Sequence, residues 1–96
     1  MTTREGEVTI DLRDVDSSLE LQQRLMTALD FPGWYGKNWN AFWDAITGLV
    51  DMPHRLRLVG WTAFEDRLPL DAQQLRECLT QMQDELPSLA AAVSYE

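Results

Sequence analysis

The chain has 96 residues, 45% hydrophobic and 25% charged, with 16 acids against 8 bases and a net charge of −8. That is enough for one globular domain, residues 1–96. The acidic balance argues against nucleic acid as a direct partner, because phosphate binding needs a basic footprint. It suits a basic protein partner drawn in by charge, although acidity also serves plain solubility. The single cysteine, Cys78, excludes an internal disulfide, and the single histidine, His54, excludes a histidine-based metal cluster. Thr2 to Glu7 is polar and charged, unlike a secretory leader, and no apolar run nears the roughly 20 residues of a membrane span. Together these features predict a monomeric cytoplasmic protein that uses no cofactor and touches no membrane.

Met1 to Gly6 reads as a frayed start. Glu7 to Leu12 alternates, with Val8, Ile10 and Leu12 on one face, and predicts a strand. Ser17-x-x-Glu20 is a capping box opening a helix to about Leu29, with Leu21, Leu25, Ala28 and Leu29 on its buried side. Phe31-Pro32 ends it, because the residue before proline avoids helical angles. Arg55 to Val59 alternates and predicts a second strand. Trp61 to Asp66 has room for one helical turn, and Leu68-Pro69-Leu70 reads as a connector. Asp71-x-x-Gln74 reads as a second capping box, opening the longest helix. Ala72, Leu75, Leu79, Met82 and Leu86 form its apolar stripe, Cys78 lies beside them as a small core residue, and Pro87 stops it. Leu89 to Tyr95 reads as a third strand. Strands separated by helices imply parallel pairing. The expected architecture is α/β: a three-stranded parallel sheet packed with three to four helices.

The stretch Phe31 to Val50 stands apart, holding three of the four tryptophans and three of the five glycines. Phe31 to Gly36 has the proline and glycines of a loop. Trp39, Phe42, Trp43 and Ile46 then fall at helical spacing, with Asn38 as N-cap and Gly48 placed to end the helix. Asn40, Asp44 and Thr47 line the face beside that stripe. A helix of about nine residues is unstable alone, so tertiary packing must hold it. Core packing is the favoured reading for Trp39 and Phe42. For Trp34 and Trp43, a small domain buries too little surface to hide every indole. Exposed aromatics beside a carboxylate make a binding surface.

This stretch resembles the signature of the barstar family, small intracellular inhibitors of barnase-type ribonucleases. The match is gapless from Pro32 to Gly48, and its rarer elements, Tyr35-Gly36-x-Asn38 and Trp43-Asp44, sit in register. It covers about a fifth of the chain closely. The resemblance implies a three-stranded parallel sheet with helices and a partner surface of Trp34, Tyr35, Gly36, Asn38, Trp39, Asn40, Trp43, Asp44, Thr47 and Gly48. On that account Asp44 is the central carboxylate, a phosphate mimic for a cationic nuclease pocket, and Trp43 an aromatic wall. Trp34 stands where the family has Tyr. Trp39 replaces the usual Leu and is open to a place at the rim or in the core. Three departures thin the charge. Asn40 stands for a family Asp, Thr80 or Gln81 for a Glu of the last helix, and Leu49 for an aromatic. The implied partner is a basic secreted ribonuclease or toxin nuclease, related to but different from barnase. An alternative is an interaction module on the same fold with no nuclease target. An enzyme is disfavoured: the chain has no activated nucleophile, no glycine-rich phosphate loop and no metal spacing, and Asp44 and His54, ten residues apart across a helix end, have no predicted geometry as an acid/base pair.

Overall fold

The computed structural model describes residues 4–96. Of the expected frayed start, Met1 to Thr3 lie outside the described residues. Arg4 is not frayed. Its guanidinium donates to the carbonyls of Met52, Pro53, Ser88, Leu89 and Ala90, tying two loops together.

Three parallel strands, β1 (Glu7–Asp11), β2 (Arg55–Val59) and β3 (Ala92–Tyr95), form one sheet in the order β1-β2-β3. The period-2 pattern does what the sequence predicts. Ile10, Leu56 and Leu58 point into the core, while Glu7, Thr9, Arg55, Ala92 and Ser94 are exposed. The sheet is therefore buried on one face only. Its other face is a polar ladder in which Arg57 donates to both carboxylate oxygens of Glu96, at 3.0 and 2.7 Å. The third strand is shorter than expected, because Leu89 and Ala90 turn back onto Leu86 by backbone hydrogen bonds.

Helix α1 spans Ser18–Leu29 and opens as its capping box predicts, the Ser17 hydroxyl accepting from the Glu20 amide at 3.1 Å. The Glu20 carboxylate reaches back one residue further, to the Asp16 amide. Asp30, at φ 60°, closes the helix in the left-handed conformation. Leu21, Leu25 and Leu29 are buried. The predicted turn at Trp61 is a full helix, α3 (Trp61–Arg67), and both Trp61 and Phe64 are core.

The longest helix, here α4, spans Pro69–Glu85. It starts two residues before the expected cap. Pro69 takes the first helical position, where its missing N–H is no loss. Asp71 is thus inside the first turn and caps nothing. Ala72, Leu75, Leu79 and Met82 are buried as the stripe predicts. These side chains join Phe31, Tyr35, Phe42 and Ile46 in one hydrophobic cluster, which fixes the motif stretch to the rest of the fold.

Candidate functional site

The loop Phe31 to Lys37 is anchored by its aromatics. Phe31 packs against Tyr35 and Phe42, with ring centroids 4.8 and 5.9 Å apart. Tyr35 is only 4% exposed, and its phenol donates to the buried Gln22 side chain of α1. Burial pushes the Tyr35 phenol well above its ordinary range. Tyr35 therefore departs from the partner-surface expectation: it holds the loop from beneath. Trp34, its neighbour, is 72% exposed and stands free of the core.

The left-handed residue of this loop is Lys37, at φ 54°, and none of the loop's glycines. Gly36 answers a different need. A Cβ there would lie 3.2 Å from Ala41 Cβ and 3.3 Å from Asn38 Nδ2, so the missing side chain lets the loop close on the helix start. Asn38 caps that start as predicted. Its Oδ1 accepts from the Ala41 amide at 2.8 Å and its Nδ2 donates to the Gly36 carbonyl. Gly36 and Asn38 shape the site without needing to touch a partner.

Helix α2 spans Trp39–Asp44 and widens into a π-helical turn over Ala45–Leu49, closed by the Val50 amide on the Ala45 carbonyl. The helix therefore runs past Gly48, which lies within its last turn. Within this turn the Thr47 hydroxyl donates to the Trp43 carbonyl at 2.6 Å, four residues back. Phe42 is fully buried. Trp39, half-buried, meets the Phe42 ring edge-on at 5.5 Å. It donates from Nε1 to Asp71 Oδ1 at 3.3 Å.

The outward side of α2 forms one wall of an open groove with Trp39, Asn40, Trp43 and Asp44. The opposite wall comes from α4: Gln74, Cys78 and Gln81. Asp44 is exposed and has no hydrogen bond or ion pair among the described residues. It is the groove's carboxylate, among amides and two indoles. Thr47 and Gly48 lie elsewhere, in a cleft at the helix end with Leu49, Leu89 and Arg4. The backbone at Gly48 faces open space.

The α4 wall was missed in the sequence. Gln74, Cys78 and Gln81, with Asp71, fall at helical spacing beside the apolar stripe, a spacing that does not by itself say which other helix they face. Cys78 is half-buried, packs against the core cluster as expected and also lines this groove. Burial raises its thiol above the usual range. Of the two positions weighed for a last-helix acid, Gln81 lines the groove and Thr80 sits by the Tyr95 phenol. His54 is exposed and does not line the groove. Among the described residues no cluster of His, Cys, Asp and Glu could hold a metal ion, and no helix is long and apolar enough to cross a membrane.

A parallel sheet open on one face, a short capped helix and an exposed helix-borne carboxylate in a groove with two tryptophans define a small α/β domain. The family model described as Barstar (barnase inhibitor) matches residues 6–94. A protein of Bacillus subtilis (strain 168) named "Putative ribonuclease inhibitor YrdF" is 37% identical over 79 residues, 82% of this chain and 87% of that protein. The chain belongs to the barstar family.

Proposed function

We propose that this chain inhibits a basic ribonuclease or nuclease toxin by seating helix α2 and its preceding loop in the nuclease active site. The observation that carries the reading is Asp44: an exposed carboxylate on a packed helix, without a side-chain partner among the described residues, in one groove with Trp43 and Trp39. A cationic phosphate pocket supplies what Asp44 lacks, through charge-assisted hydrogen bonds from Arg or His. Trp34 and Trp43 give rigid aromatic contact area around it, as interface anchors do. Thr47 and Gly48 extend the contact along the helix end. The net charge of −8 speeds encounter with a basic partner. The protein acts as a non-enzymatic, monomeric immunity factor in the cytoplasm of the cell that makes the nuclease.

The family membership and the name of the Bacillus relative support a ribonuclease as target. The groove's amides refine it. Asn40 and Gln81 accept hydrogen bonds but bring no charge, so the preferred nuclease presents a less cationic pocket than barnase. The same amides favour the second reading, an interaction module for a partner that is neither basic nor a nuclease. A capture experiment separates the two. Wild-type protein and Asp44→Ala are immobilised and exposed to lysate containing the organism's nucleases in inactive form. A basic nuclease held by the wild type and lost from the variant is the expected result. Equal retention of a non-nuclease by both would sink the inhibitor reading.

A further inference from the structure

Asp71 has no role in the reading above, yet both its carboxylate oxygens are engaged sideways, away from the α4 axis. Oδ1 accepts from Trp39 Nε1 at 3.3 Å and Oδ2 accepts from the Ser18 hydroxyl. Ser18 opens α1, Asp71 lies in the first turn of α4 and Trp39 opens α2. Three helix starts thus meet at one side chain. Among the described residues, the Trp39 bond is the one side-chain hydrogen bond between α2 and α4, the two walls of the groove.

Trp39 needs such a bond. It is half-buried against the core cluster and meets the Phe42 ring edge-on. Apolar packing is not directional, so a partly exposed indole keeps other rotamers open to it. The N–H bond to Asp71 selects one. A leucine at this position could not make it, so the device belongs to the Trp39–Asp71 pair.

We propose that Asp71 is a positioning residue for the partner groove: anchored by Ser18, its carboxylate fixes the Trp39 indole as the wall facing Gln74, Cys78 and Gln81. The partner role rests on the inhibitor reading; the positioning role does not. Cys78 is the chain's one cysteine and shares the groove with Trp39, so its alkylation by iodoacetamide reports the wall without any partner.

The experiment is a cycle on that rate at one fixed pH. Asp71→Ala should accelerate Cys78 alkylation several-fold. Asp71→Asn, whose amide oxygen still accepts from Trp39 and whose nitrogen can donate to Ser18, should restore the wild-type rate. In a Trp39→Phe background, which lacks the N–H, Asp71→Ala should add nothing. An equal acceleration in both backgrounds would show mere loss of stability and overturn the proposal, as would no acceleration at all. A binding arm uses immobilised barnase as probe. Weakening by Asp44→Ala without weakening by Asp71→Ala would overturn the proposal and leave the inhibitor reading intact. Retention of barnase by the wild type that Asp44→Ala leaves unchanged, with the alkylation cycle as expected, would overturn only the inhibitor reading.

Discussion

The sheet's open face and the α2–α4 groove are both polar surfaces, and they treat charge in opposite ways. On the sheet, two acids are matched by bases. Arg57 grips Glu96, and Arg13 grips Asp11 through its backbone amide and guanidinium at 2.7–3.2 Å. In the groove Asp44 is left alone. Exposed ion pairs add little to stability, so these two pairs chiefly satisfy one another. The groove's charge has no partner among the described residues and is left to solvent or to another molecule. A surface's function is read here from what its groups still lack.

The largest expected effect breaks the groove side. Asp44→Ala should weaken a nuclease complex by about 2–5 kcal/mol, because the partner's buried cations lose their counter-charge. It should move the urea midpoint of the free protein hardly at all, within about 0.5 kcal/mol for an exposed side chain. Calorimetric titration beside denaturation measures both. A large loss of stability with unchanged affinity would reverse the assignment.

Gly60→Ala breaks the other side. Gly60 sits at φ 78°, and a Cβ there would meet Arg13 Cγ at 2.3 Å and the Arg13 backbone N and Cα at 3.1 Å. The left-handed conformation costs a non-glycine residue about 1–2 kcal/mol, and the Arg13 side chain, which grips Asp11, must also move. A destabilisation of about 2 kcal/mol or more should follow, with the affinity of the folded fraction intact. Next comes Tyr35→Phe. It leaves the Gln22 side chain, 3% exposed, without its donor, which costs about 1–3 kcal/mol. Binding at saturation should be unaffected, since the phenol faces α1. A specific loss of affinity would return Tyr35 to the partner surface.

These variants also mark where sequence reasoning reached and where it stopped. Strands β1 and β2, the α1 cap, the Asn38 cap and the α4 stripe follow from period and capping chemistry, which are local. The motif's register carried Asp44, Trp43 and Trp34 to the surface. Tyr35 was misplaced because a loop aromatic has no period to say which way it points, and its partner Gln22 lies 13 residues away. Asp71 was misread because Asp-x-x-Gln imitates a capping box, while Pro69 had already opened the helix. The π turn over Ala45–Leu49 was missed because Gly48 reads locally as a helix end. Arg4 gave no signal, since a single arginine near a chain end says nothing of five carbonyls converging on it.

Asn40→Asp sharpens the comparison with a smaller effect. It places a second unpaired carboxylate four residues from Asp44, on the same groove wall. Like charges at that spacing cost the free helix about 0.2–0.5 kcal/mol. Association with a basic nuclease should quicken, and its rate should fall more steeply with salt than for the wild type. Stopped-flow traces across ionic strength give that slope, and an unchanged slope would place residue 40 outside the partner's field.

The smallest effect belongs to the matched charges themselves. Hydrogen bonding to Arg57, and then to Ser94, holds the Glu96 carboxyl at about 2, and the Arg13 side chain and amide hold Asp11 at about 2. A carboxyl whose folded value is depressed adds stability above its unfolded value of about 4, and that contribution is lost as pH falls toward 2. Stability should therefore decline between about pH 4 and pH 2, and Arg57→Ala should remove the Glu96 share of the decline. Both carboxylates are open to solvent, so the change is modest and shrinks in high salt. Acid titration of wild type and Arg57→Ala by circular dichroism at low and high salt measures it. Identical curves would mean that the ladder's pairing is geometric rather than energetic. In either case Asp44 lies outside this ladder, and no change at Arg57 should reach the groove.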